Sequence, residues 1–303
     1  MLTIVAQQSS KNKLATKRSC CGTAEAPCFG RWQKLTMAAS SSTTPLSIVV
    51  DEFAELDSHA IPFITVTDDG GSGSESKFQV NPVAVKYLQS LKGKIAVVAI
   101  AGLYRTGKSY LLNALMGKGA GFTVGPTVKA CTKGIWIWGR ALEVGDSDTT
   151  VLFLDTEGLG STIRGASYDS RIFALSLLLS SFFVYNSVGV IDGDAIGRLS
   201  LVINLTKYIH VQAHSGATAG EALDTPESLR EFFPRFLWVV RDFGVKIERS
   251  GRTMTSSEYL EDALQPEAGT SDSTMQKNSV RTLLRSFFSE RDCVTMVRPL
   301  FVL

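Results

Sequence analysis

Apolar positions along this chain follow two rhythms. Short unbroken runs of branched and aromatic residues at 95–100, 135–138, 151–155, 182–185 and 236–240 predict strands buried on both faces. Two more strands, 62–66 and 77–80, are predicted as a hairpin around Gly70-Gly71-Ser72-Gly73-Ser74, and 293–297 as a last strand. The second rhythm is helical. Val280, Leu283, Leu284, Phe287 and Phe288 recur at i, i+3, i+4, i+7 and i+8, which assigns Arg281 and Arg285 to the wet face. Asn81-Pro82 reads as cap and first turn of a helix running to about 91, and Thr255-Ser256-Ser257-Glu258 as a capping box opening a helix to 264. Asp194 is predicted to cap a helix that turns Ile196, Leu199, Ile203 and Ile209 to the core, with His210 and His214 as solvated residues at its end. The most apolar stretch, 172–191, is broken by Ser176, Ser180, Ser181, Asn186, Ser187 and Gly189. It reads as a buried helix to about 179 followed by a strand, not as a membrane span. The alternation predicts an α/β fold: a doubly wound, mostly parallel sheet with an N-terminal hairpin and helix as an extension, and ligands at the C-terminal ends of the strands.

Between the 95–100 strand and a predicted helix at 110–116 lies Gly102-Leu103-Tyr104-Arg105-Thr106-Gly107-Lys108-Ser109, a G-x-x-x-x-G-K-S loop followed by Tyr110. Strand, glycine loop and helix are the context this Walker A pattern needs. The glycines let backbone N–H groups face inward, and with the helix N-terminus they form an anion site. Lys108 is then the cation for terminal phosphates, and the Ser109 hydroxyl is a Mg²⁺ ligand. The apolar run 151–155 ends in Asp155, a carboxylate at a strand terminus that can face the metal or its water. Asp155-Thr156-Glu157-Gly158 also reads D-x-x-G, in which the Gly158 N–H meets a γ-phosphate. The polar, glycine-rich stretch from Gly117 to Lys133 is the predicted first switch and offers Thr123, Thr127 and Thr132 as metal ligands.

Charge narrows the partners. Residues 1–44 hold six of the 31 Lys/Arg and one of the 29 acids, so the net +2 belongs to that segment and makes no case for nucleic acid. The same segment is rich in Ser, Lys and Arg. It fits a disordered tail, an organelle transit peptide, or an untranslated leader ahead of Met37. A cytoplasmic protein is the first expectation, an organelle-targeted one the alternative. The five cysteines (Cys20, Cys21, Cys28, Cys131 and Cys293) are odd in number and scattered, which argues against a disulfide framework and for a reducing compartment. The three histidines stand at no zinc-ligand spacing from them.

No N-K-x-D follows the loop, so another element reads the base or the base is adenine. The motif series 102–109, Cys131-Thr132-Lys133-Gly134-Ile135-Trp136, Asp155-Thr156-Glu157-Gly158, Val184-Tyr185-Asn186-Ser187 and Arg241-Asp242-Phe243 resembles the GTPase domain of guanylate-binding proteins, large GTPases of the dynamin superfamily. The resemblance covers about 60–303, and Arg291-Asp292-Cys293 with Val297-Arg298-Pro299-Leu300 is closer to plant and protist members. It implies that Arg241-Asp242 replaces N-K-x-D, with the Asp242 carboxylate accepting from guanine N1–H and the 2-amino group. It implies an arginine finger in Arg105, a metal ligand in Thr132 and a water-positioning network through Glu157. It implies GTP hydrolysis to GDP, in some members on to GMP, coupled to homodimerisation of the domain, with membrane association open. The alternative is a GTP-binding self-association module with little turnover. Ala130 departs from a water-orienting serine of some animal members. The chain is also expected to be C-terminally incomplete as a GTPase domain, without the helical region that follows it.

Overall fold

The computed structural model describes residues 59–67, 77–117, 121–125, 132–138, 142–143, 149–160, 166–201, 233–249 and 251–298. The 1–44 segment, the Gly70–Ser74 loop, Thr127, Ala130, Cys131, Ile203, Ile209, His210 and His214 lie outside them.

Among the described residues nine strands make the main sheet: β1 (Ala60–Thr67), β2 (Lys77–Val80), β3 (Lys94–Gly102), β4 (Ile135–Trp138), β5 (Leu142–Glu143), β6 (Thr149–Thr156), β7 (Phe182–Val188), β8 (Arg235–Arg241) and β11 (Arg291–Met296). The short pair β9 (Glu248–Arg249) and β10 (Arg252–Thr253) stands apart. The helices are α1 (Pro82–Ser90), α2 (Lys108–Leu115), α3 (Ala166–Leu178), α4 (Gly193–Arg198), α5 (Ser256–Ala263) and α6 (Asp272–Phe287). The order across the sheet is β11-β8-β7-β3-β6-β4-β1-β2, with β5 beside β6. The block β11-β8-β7-β3-β6 is parallel throughout. From β6 outward, β4, β1 and β2 pair antiparallel, and so does β5. The chain leaves β3, builds β6 on one side, and returns through α3 to β7 on the other. That reversal puts a crevice at the C-terminal end of β3, where open α/β sheets bind ligands.

The core is built from the five runs predicted to be doubly buried. Ala99, Ile100, Val151, Phe183, Val184 and Val240 are solvent-free, and Tyr185 packs edge-on against Trp238 at 5.2 Å. The hairpin forms as predicted, with Ile64 opposite Val80 and Thr67 opposite Lys77. Asn81 caps α1 by accepting from Val83 N and ties it back to β1 through Nδ2 to Pro62 O at 2.8 Å. The Thr255 capping box forms with both bonds in place. No helix among the described residues is long and apolar enough to cross a membrane, in keeping with the reading of 172–191 as helix then strand.

Two expectations are corrected. The cap of α4 is Asp192, whose Oδ1 accepts from Asp194 N at 3.1 Å and Ala195 N at 2.8 Å; Asp194 lies inside the first turn. In Asp-Gly-Asp the earlier acid alone reaches the N2 and N3 amides. Arg281 is not on the wet face but 2% exposed. It stands three and seven residues before Leu284 and Phe288, hence on the edge of the apolar stripe. Its guanidinium is satisfied by Ala263 O at 3.1 Å, Asn278 Oδ1 at 3.0 Å and Glu267 Oε1 at 2.5 Å.

Candidate nucleotide site

The glycine loop is shaped by what surrounds it. At Gly102, φ is +150°, and a Cβ there would lie 2.1 Å from the Asn186 carbonyl oxygen of β7. Gly107 is left-handed at φ 78° as the N-cap of α2, leaving the first N–H groups of that helix unsatisfied by a side chain. Arg105 holds a left-handed φ of 66°, an uncommon backbone for a residue with a Cβ. Inside the bend, Thr106 Oγ1 and Lys108 Nζ both donate to Leu103 O, at 2.7 and 3.1 Å. Lys108 is buried; loss of solvation pushes its pKa down, against the pull of the Asp155 and Glu157 carboxylates. A buried ammonium beside the side-chain-uncapped first turn of α2 makes the loop suited to an anion.

Asp155, next to last in β6, lies between Ile100 of β3 and Trp136 of β4 and is solvent-free. Its Oδ2 accepts from Ser109 Oγ at 2.6 Å and Thr132 Oγ1 at 2.9 Å. Its Oδ1 is buried with no hydrogen-bond partner. Burial raises the Asp155 pKa, opposed by the Ser109 bond, then by Lys108 and Thr132. Residues 23 and 46 positions away in sequence thus meet on one oxygen.

The segment after Asp155 is laced to the glycine loop. Tyr104 N donates to Leu159 O at 2.9 Å, and Leu159 N to Gly102 O at 3.0 Å, one more parallel rung beyond β3 and β6. Gly158 sits where a Cβ would meet Tyr104 Cα at 2.2 Å. Glu157 is buried; its Oε2 accepts from Gly134 N at 3.0 Å and from the Tyr168 hydroxyl, while its own N–H donates to Gly134 O at 2.8 Å. Asp169 Oδ2 accepts from Gly160 N at 2.7 Å. Desolvation raises the Asp169 pKa, and Glu157 adds to the rise.

Arg241 ends β8 and Asp242 follows it. The Arg241 side chain turns to the glycine loop: Nη1 donates to Thr106 O at 3.2 Å and Gly107 O at 3.1 Å, and the guanidinium lies 5.6 Å over the Tyr110 ring. Asn186 Nδ2 meets the same Thr106 carbonyl at 3.0 Å and Thr106 Oγ1 at 2.8 Å. Asp242 is exposed and left-handed, with φ 54°; aspartate is among the few residue types that take this conformation readily.

A cleft of about 240 Å³ opens over this arrangement. It brings together Tyr104, Arg105, Gly107, Lys108, Ser109, Tyr110, Thr123, Thr132 and Gly158 of the predicted residues, and adds Val124, Gly125 and Thr156. Arg105 spans its mouth, donating to Gly125 O at 3.2 Å. Asp155 lies directly beneath, behind Ser109 and Thr132. Gly102, Leu103, Thr106, Glu157, Arg241 and Asp242 stand outside its lining. Sequence reasoning gave no role to Asn186, Tyr168 or Asp169. The signal available for Asn186 was an amide inside an otherwise apolar strand, a polar group that must find a partner.

A glycine loop at a sheet's topological reversal, backed by a strand-end carboxylate, defines a P-loop nucleotide-binding domain. Within that class the sequence match is specific: residues 75–301 match the family model for the guanylate-binding protein N-terminal domain. Over 227 residues the chain is 43% identical to human guanylate-binding protein 2, covering 75% of this chain and 38% of that protein. It is 42% identical over 224 residues to mouse guanylate-binding protein 7, covering 74% and 34%. Among solved structures, a dimerization-deficient mutant of Toc33 from Arabidopsis thaliana matches at TM-score 0.34 and 13% identity, over 71% of this chain and 74% of its own. The chain belongs to the guanylate-binding protein family. It spans little more than a third of the length of these two curated relatives.

Proposed function

We propose that this domain binds GTP with Mg²⁺ and hydrolyses it to GDP, its nucleotide state coupled to self-association of the domain. The observation that carries this reading is the meeting of Ser109 and Thr132, from the phosphate loop and the first switch, on one oxygen of a buried strand-end carboxylate.

The donors suit magnesium. A hydroxyl that gives its single proton to Asp155 keeps its lone pairs for a cation. The set is all oxygen, the donor type that Mg²⁺ takes. The unpartnered Asp155 Oδ1 is a second acceptor for metal-bound water. Bound there by Ser109 and Thr132, Mg²⁺ would supply charge neutralisation to the β- and γ-phosphates.

The rest is the work of the chain's own groups. Loop amides and the α2 N-terminus cradle the phosphates, and Lys108, buried without a phosphate, gains one as counter-charge. Gly158 N–H takes the γ-phosphate. Arg105 leaves the Gly125 carbonyl and moves onto the charge that develops in the transition state. Glu157 orders the attacking water through its network. The 240 Å³ cleft is below the roughly 300–1,000 Å³ of drug-sized ligand pockets. It suits the polyphosphate, with the base over open surface toward Asp242, whose carboxylate accepts both guanine donors; adenine lacks that pair.

The test is multiple-turnover phosphate release from GTP by the purified chain, alongside binding of a fluorescent GTP analogue. Release that needs Mg²⁺ and is lost in Arg105→Ala while binding survives is the expected result. Tight binding without release overturns hydrolysis in favour of a self-association module. Equal competition by ATP overturns the assignment of Asp242.

A further inference from the structure

We infer that Tyr168 is a positioning residue for Glu157, holding its carboxylate in place for the attacking water, and that the N-terminal hairpin braces this hold. The inference rests on the role given to Glu157 in the proposed function.

A glutamate side chain has three rotatable bonds, and freezing them needs contacts that outweigh the lost freedom. Here two donors converge on Oε2: the Gly134 amide at 3.0 Å and the Tyr168 hydroxyl. With one oxygen held from two directions, the plane of the carboxylate and the direction of its other oxygen are set. Both donors are themselves fixed from the same side. Tyr168, 6% exposed, stacks on Phe78 of β2 with centroids 5.6 Å apart and planes 14° from parallel. Gly134 lies so close to β1 that a Cβ there would meet Ile64 O at 2.1 Å. The hairpin of β1 and β2 therefore backs each of the groups that hold Glu157.

The neighbouring residue extends the hold. Asp169 accepts from Gly160 N, so consecutive residues in the first turn of α3 grip the two ends of 157–160. Gly158, between them, is the residue of this segment that enters the cleft. An ordinary core tyrosine would place its hydroxyl at the surface or on a carbonyl; this one is spent on the buried acid of the D-x-x-G segment.

Steady-state GTP hydrolysis by the full chain tests the inference. Tyr168→Phe keeps the ring and its stacking and removes the donor alone. Its kcat should fall about tenfold, as expected when a water-orienting group is loosened, with KM changed less than about twofold because substrate binding is untouched. In a Glu157→Gln background the same substitution should change single-turnover rate by less than about twofold, since the two residues act as a unit. Phe78→Leu, which keeps the hydroxyl and weakens its backing, should lower kcat in the same direction by a smaller factor. A Tyr168→Phe kcat within twofold of wild type overturns the inference, as does an equal loss in the Glu157→Gln background. Wild-type protein that binds GTP and never releases phosphate overturns the proposed hydrolysis itself, and the inference falls with it.

Discussion

Thr106 offers one carbonyl to two side chains, which makes the brace of the phosphate loop a measurable quantity. Arg241 Nη1 reaches it at 3.2 Å and Asn186 Nδ2 at 3.0 Å. In Arg241→Met the carbonyl keeps Asn186, and the Gly107 carbonyl keeps the Leu111 amide at 3.0 Å. No acceptor is orphaned, so the loss is that of a charge-assisted bond at a partly exposed site, about 1–2 kcal/mol. In Asn186→Ala the carbonyl keeps Arg241, and the unpartnered Asn186 Oδ1 leaves with the side chain, so the cost is about 1 kcal/mol. In the double variant the carbonyl loses both donors. An acceptor stripped of partners costs a further ~1–3 kcal/mol, so the double variant should be less stable than the sum of the singles by that amount. Urea unfolding of the four proteins, with a common slope required, gives the coupling directly. A coupling under about 0.5 kcal/mol would refute the claim that the two side chains share this load.

Asp169 gives a pH-dependent prediction. Burial, reinforced by Glu157, raises its folded pKa above the ordinary 3.8. Between those two values the folded protein holds a proton that the unfolded chain has lost, so stability falls as pH rises through this window. Asp169→Asn still accepts from Gly160 N and cannot titrate; its stability should lose that part of the slope, read from thermal melts across the acid range. An unchanged slope would sink the assignment. Thr255→Ala removes the side chain that accepts from Glu258 N at 3.2 Å and should destabilise by about 1 kcal/mol. Equilibrium unfolding checks it, and no measurable change would mean that α5 is held by packing alone.

Local signals carried the reading as far as they reach. The glycine loop, D-x-x-G, the capping box and the buried runs are contiguous patterns, and each stands where it was expected. What escaped notice is made of contacts between distant residues. Asn186 and Thr106 are 80 positions apart, and nothing beside either names the other. Tyr168 looks like any aromatic at the start of an apolar helix until Glu157 arrives beneath it. Arg281 departs from expectation for a different reason. Its charge points to water, but the residue falls on the stripe edge and its long stem is buried because the head finds partners. The antiparallel direction of β4 was also invisible, because an apolar run carries no arrow.

That direction has a consequence for how the cleft is stocked. With Ile135 opposite Thr156, the polypeptide enters β4 at the same rim where β6 finishes. Residues 132–134 are therefore delivered beside Asp155, and Thr132 arrives there without any long detour. Reverse the strand and that hydroxyl is shipped to the far rim, a full strand length from the glycine loop.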